Sequence, residues 1–248
     1  MQVTLMIPCY IDLFYPQVGV ATLELLEKLK VDVVYPFNQT CCGQPMANSG
    51  CFEESRATEE LFIKNFSGFD HIVIPSGSCT HHVRSKFTAA PDSPERRKVS
   101  ASAYDLVEFL HDVLLVREFP WASFKHKVAL HNSCSAIRGL GLASMSERVH
   151  DPKFSKPKSL LEQVPGIQFV DFERPDECCG FGGSFSVTEE AVAAKMGYDK
   201  LEFISKSGAD YIVSSDMSCL MHLQGCASRL GADVTVLHIA QVLNGVAQ

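Results

Sequence analysis

Short apolar runs alternate along the chain with longer stretches in which apolar side chains recur every three or four residues. The two periods predict strands alternating with helices. Residues 3–8 form the first run, and residues 19–30 follow it with Val20, Leu23, Leu26 and Leu29 at helical spacing. A second strand is predicted at 31–36, a helix at 53–65, a third strand at 71–75 and an amphipathic helix at 103–116. The order then begins again: a strand at 127–132, a helical stretch that includes 160–164, a strand at 167–172, a helix at 189–205 and a strand at 210–214. Residues 237–243 take the place that 104–110 hold in the first half. Such alternation predicts an α/β fold with parallel sheets. The repeat makes it two tandem, pseudo-two-fold-related Rossmann-like domains, at residues 1–118 and 125–248. The linker falls near 118–124, where Pro120 and the lone Trp121 lie, and Trp121 reads as interface packing. Residues 91–97 have no counterpart in the second half and read as a surface insertion.

Cysteine follows the same repeat. Eight of the ten cysteines form one pattern written twice, Cys9, Cys41-Cys42, Cys79 and then Cys134, Cys178-Cys179, Cys219. The gaps are 31 and 36 residues in the first copy, 43 and 39 in the second. Each pair precedes a glycine, Gly43 or Gly180, and each copy ends in Cys-x-x-His, giving Cys79/His82 and Cys219/His222. Every group follows the end of a predicted strand, where the loops of an open parallel sheet converge on a ligand crevice. Successive side chains diverge in regular structure, but a sharp turn with a glycine at positive φ lets two adjacent thiols reach one centre. Four thiolates with an imidazole beside them suit an iron–sulfur cluster or zinc.

Composition narrows the rest. The balance of 22 basic against 29 acidic residues, a net charge of −7, argues against a nucleic-acid surface. No apolar run reaches the roughly 18–20 residues that cross a bilayer. The first ten residues lack the basic region and cleavage site of a signal peptide and read as a core strand. Ten cysteines without an export signal point to the cytoplasm, where thiols serve as ligands or redox groups rather than as disulfides. The Gly180–Ser184 segment lacks the Lys-Ser/Thr ending of a phosphate loop, so its glycines read as turn-formers. Cys51 and Cys226 stand outside the repeat and are expected to be small buried side chains. His131, three residues before Cys134, is expected to make a structural hydrogen bond, with orientation of a ligand as the alternative. Arg138 and Lys195 are expected to be solvated surface groups, with offset of cluster charge as the alternative. No residue is singled out as catalytic.

The strings Cys41-Cys42-Gly43-Gln44-Pro45, Pro75-Ser76-Gly77-Ser78-Cys79 and Cys178-Cys179-Gly180-Phe181-Gly182-Gly183 carry a further message. Over nearly the whole chain the sequence resembles the cysteine-rich CCG-domain iron–sulfur family, which includes the CCG-bearing component of heterodisulfide reductase and the iron–sulfur component of glycolate oxidase. The similarity is strongest to the short, two-domain branch that serves lactate utilisation. The resemblance implies metal sites at Cys9, Cys41, Cys42 and Cys79 and at Cys134, Cys178, Cys179 and Cys219. Relatives hold non-cubane 4Fe-4S clusters through five cysteines, whereas His82 and His222 stand at the fifth positions here. Each histidine is therefore a ligand or a hydrogen-bonding neighbour of the centre, and a conventional four-iron cluster or Zn²⁺ at one or both sites stays open. The implied function is electron transfer in a cytoplasmic complex that oxidises L-lactate or another 2-hydroxy acid, an oxidoreductase subunit. The implied partners are a ferredoxin-type iron–sulfur protein and a smaller subunit. A thiol–disulfide reductase and a zinc-stabilised interaction module are the alternatives.

Overall fold

Short runs rich in β-branched residues set the sheets. Ile72-Val73-Ile74 is buried on both faces, the pattern of a central parallel strand, while Asp32-Val33-Val34 is partly exposed, as an edge strand is. A computed structural model describes residues 1–232 and 234–245; Asp233 and the last three residues of the expected second domain lie outside the described residues. In the first half, β1 (Gln2–Leu5), β2 (Asp32–Val34), β3 (Ile72–Ile74) and β4 (Ala103–Asp105) form a parallel sheet in the order β2-β1-β3-β4. In the second half, β5 (Lys127–Leu130), β6 (Gln168–Phe169), β7 (Tyr211–Ser214) and β8 (Thr235–His238) repeat that order as β6-β5-β7-β8. The expected fold class is thus present, as two tandem Rossmann-like α/β units.

The predicted elements reappear with shifted ends. Helices run over Pro16–Lys28, Phe52–Phe66 and Glu190–Lys206, where apolar spacing placed them. The expected helix over 103–116 is corrected: its first three residues pair with β3 as the fourth strand, and the helix begins at Leu106. Likewise β8 precedes the short Ile239–Asn244 helix. The insertion at 91–97 supplies Ser93, whose hydroxyl caps the Pro94–Ser102 helix by accepting from Arg96 N–H. No helix among the described residues is long and apolar enough to cross a membrane.

One hydrophobic core runs through both halves, from Val3, Leu25 and Phe109 to Val128, Leu220 and Leu243. Its seam is the Pro16–Lys28 helix packed on Ile239–Asn244. There Lys28 Nζ donates to the backbone oxygen of Asn244 (2.7 Å) and to its side-chain oxygen (2.8 Å), and Asn244 Nδ2 donates to Glu24 (2.6 Å). Trp121 joins the seam as expected, donating from Nε1 to Leu243 O at 3.0 Å beneath the Lys28 ammonium.

A fully buried carboxyl sits at the end of β4. Asp105 Oδ1 accepts from Val107 N–H at 2.8 Å, but Oδ2 has no partner, and burial pushes its pKa up to about 8. The folded chain therefore keeps this proton between about pH 4 and pH 8 while the unfolded chain has released it, so the group's contribution to stability falls as pH rises through that window. Compared with Asp105→Asn, the wild type is expected to lose up to about 1.4 kcal/mol per pH unit there. Urea unfolding of both proteins at pH 5, 6, 7 and 8 measures the difference, and parallel curves would contradict it.

Candidate metal centre

The loops after β1, β2 and β3 carry Cys9, the Cys41-Cys42 pair and Cys79, and those after β5, β6 and β7 carry Cys134, the Cys178-Cys179 pair and Cys219. Cys79 lies in the first turn of the Gly77–Ser85 helix, whose cap Ser76 accepts from Cys79 N–H at 3.3 Å. Gly43 and Gly180 adopt φ of 89° and 96°, the left-handed turn that lets neighbouring thiols converge. Their N–H groups point back at Cys41 Sγ and Cys178 Sγ, each at 3.4 Å. Across the first set, Cys42 Sγ lies 3.3 Å from Cys79 Sγ.

In each set hydrogen bonding favours ionisation of one thiol over its neighbours. Bonds from the Cys42 and Cys9 thiols pull Cys41 down to about 3, and the same bonds hold Cys42 and Cys9 above the usual thiol range. Bonds from Cys134 and Cys179 pull Cys178 down to about 2, with Cys134 and Cys179 raised in turn. All ten cysteines are free, and the eight of the repeat line one cavity of about 470 Å³ with Tyr10, Asp216, Phe181 and Lys86.

The two sets meet at a single carboxylate. Asp216 caps its own Met217–Leu230 helix, taking bonds from Ser218 N (3.4 Å) and Ser218 Oγ (2.7 Å). It also reaches across to the first half, where Oδ2 accepts from Ser78 N–H at 2.8 Å. Tyr10, next to Cys9, points its hydroxyl at Ser76 Oγ (2.9 Å) and Asp216 Oδ1 (3.2 Å). One side chain thus satisfies orphan amides of two cysteine-bearing helices.

The histidines depart from the symmetry of the sequence. His82 is fully buried with neither ring nitrogen hydrogen-bonded, and burial lowers its pKa to about 4, so it is neutral. Its Nε2 faces the Gly43 turn. His222, its counterpart, is not brought to the second thiol set: its Nε2 sits 3.0 Å from Ala193 O and 3.8 Å from Cys226 Sγ, in a separate pocket with Met221 and Arg229. His131 makes no structural hydrogen bond through its ring, contrary to expectation, for both nitrogens are buried without partners. Among the described residues, His131, Cys179 and Cys219 are the one trio of potential ligands with all ligand atoms within 4.8 Å of one another.

Other expectations divide. Arg138 pairs with Glu147, and Lys195 with Asp199, as surface groups. Cys226 is buried, but Cys51 is exposed at the start of the Phe52–Phe66 helix, because its place before the first turn faces solvent. Sequence patterning missed Lys200. Its ammonium is buried near the second set and donates to the carbonyls of Arg174, Pro175 and Glu177 at 3.2, 2.8 and 3.0 Å. Burial lowers its pKa to about 8. Its sequence signal, a lysine on the apolar face of a helix, is also that of a side chain lying along the surface.

Two parallel α/β units, each gathering four free thiols at its strand ends, define a cysteine-ligand metal protein. The sequence profile of the cysteine-rich CCG domain matches residues 3–84 and 128–224, and the chain belongs to that family. It is similar over its length to lactate utilization protein A of Geobacillus kaustophilus, 38% identical over 98% of this chain and 99% of the relative. The protein of that name from Bacillus subtilis is 36% identical with the same coverage. Among solved structures, glutamate racemase RacE1 of Bacillus anthracis aligns with 98% of this chain and 78% of its own at a TM-score of 0.36 and 13% identity, too distant to inform the site.

Proposed function

We propose that the chain is an iron–sulfur electron-transfer subunit of a cytoplasmic complex that oxidises L-lactate or a related 2-hydroxy acid. The observation that carries this reading is the convergence of two four-thiol sets on one cavity, in a chain similar end to end to lactate utilization proteins. The donor set fits the cofactor: soft thiol sulfurs four at a time, and a buried neutral imidazole without a partner beside the first. Cys9, Cys41, Cys42 and Cys79 would hold one cluster, with His82 beside it, and Cys134, Cys178, Cys179 and Cys219 the other. When bound, such clusters take up and release single electrons. The chain's part is to fix Cys9, Cys79, Cys134 and Cys219 at helix starts and the two cysteine pairs in glycine turns, and to exclude bulk water from the buried thiols Cys42, Cys79, Cys179 and Cys219. Residues 1–118 and 125–248 are the proposed domains, on the sequence repeat, and a ferredoxin-type protein and a smaller subunit are the proposed partners.

Anaerobically purified protein is expected to contain about four iron and four acid-labile sulfide per half and to be brown. Stoichiometric zinc without sulfide would overturn the electron-transfer reading and favour a zinc-held module. A second reading draws on the cavity that both sets face, which would admit a disulfide substrate for reduction. Cluster spectra that change on adding thiol or disulfide would favour it over simple relay.

A further inference from the structure

We propose that His131 is a nitrogen ligand of the second metal centre, alongside Cys134, Cys178, Cys179 and Cys219, and that His222 is not. The inference rests on the reading that the thiol sets hold metal.

Geometry comes first. A ligand nitrogen of His131 and the sulfurs of Cys179 and Cys219 lie within 4.8 Å of one another, close enough for one ion or one cluster edge to bind all three. Backbone pairing fixes the residue there, since His131 N–H donates to Val213 O at 2.8 Å and carries the β5–β7 ladder one step past the strand. The residue is 1% exposed, with no hydrogen bond at either ring nitrogen. A neutral imidazole has one donor and one acceptor, and leaving such a group unpaired in a protein interior costs about 1–3 kcal/mol. A metal satisfies the acceptor nitrogen with the neutral form that ligation needs.

His222 lacks that freedom. Its Nε2–H donates to Ala193 O at 3.0 Å, in a pocket with Met221, Cys226 and Arg229 that none of the four thiols of the second set lines. In the first half the strand-end position is Met6, whose N–H donates to Val73 O as His131 donates to Val213 O. That half has no imidazole at this place, and its unpartnered imidazole is His82, from the Cys-x-x-His helix. Each half thus presents one unengaged imidazole to its thiols, taken from a different loop. The ligand class is a borderline metal that accepts thiolate and imidazole together, iron or zinc.

The test uses the full chain, anaerobically purified, with His82→Ala as background so that only one centre retains an imidazole. Pulsed EPR reads nitrogen hyperfine coupling on the reduced clusters, and metal and sulfide are counted alongside. Coupling is expected to persist in H82A and in H82A/H222A, and to vanish in H82A/H131A. H131Q replaces the ring with a side chain of similar bulk, and its circular dichroism controls for folding. Coupling and metal content unchanged in H82A/H131Q, or coupling lost in H82A/H222A, would overturn the assignment. If the chain holds zinc without sulfide, the iron–sulfur reading fails by itself. Cobalt(II) substituted for zinc then carries the test: its visible bands are expected to shift in H131Q and not in H222Q, and the reverse overturns the assignment. A chain that binds no metal overturns both.

Discussion

Replacing Asp216 with alanine is expected to lower the unfolding free energy by about 3–5 kcal/mol. The carboxylate caps its own helix through Ser218 and the facing helix through Ser78 N–H, and it takes one of the two bonds of Tyr10. Alanine removes both caps and leaves buried donors on each side of the seam. Asp216→Ser puts at this position the residue that Ser76 provides in the first half, so it restores the local cap but not the reach to Ser78. Its loss is expected to be smaller, about 1–2 kcal/mol. Urea midpoints for the two variants, with thiol accessibility followed by a chromogenic reagent, measure the effect. An alanine variant within about 1 kcal/mol of wild type would mean that water replaces the carboxylate without cost.

Glycine at 180 carries the second large effect. An added Cβ would meet Ala193 O at 2.5 Å and Met196 Cβ at 2.8 Å, and φ is 96°. The Ala193 carbonyl belongs to the Glu190–Lys206 helix, so relief means moving either that helix or the turn that presents Cys178 and Cys179. Gly180→Ala is expected to cost about 3 kcal/mol or more and to scatter the second thiol set, halving bound metal. Gly43→Ala is the control. Its φ is 89°, but a Cβ there meets nothing closer than 3.7 Å, so the cost is the left-handed backbone alone, about 1–2 kcal/mol, with metal retained. Metal counts and thermal melts of the two variants separate the mechanisms, and equal losses would refute the steric account.

Much of this was legible in the order of residues. Period-2 and period-3.6 patterning located six strands and the long helices, because β-branched runs such as Ile72-Val73-Ile74 are buried on both faces and read clearly. The fourth strands escaped notice. Ala103-Tyr104-Asp105 is three residues long and abuts a helix, so its apolar positions merge into the helical period. The cysteine repeat showed which thiols would gather, since loop ends of parallel strands converge. It did not show which imidazole each set would have. His82 and His222 share a motif, yet the Ala193 carbonyl holds one while the other faces the Cys42-Gly43 turn, a difference set by packing between distant helices. Asp216 was hidden for the same reason: alignment of the halves sets it against Ser76, and its role exists only where the halves touch.

That pairing bears on how such a chain comes to be a single polypeptide. In a dimer of identical subunits, a residue on the two-fold axis faces its own copy. Two aspartates there would repel, and two serines would leave the seam without a charge to gather the amides around it. Serine opposite aspartate, with Ser76 Oγ 3.5 Å from Asp216 Oδ1, is available only once the two copies are covalently joined and free to differ. Fusion of the halves permits a heterologous contact at the centre of an otherwise repeated architecture, and reversing the duplication would forfeit it.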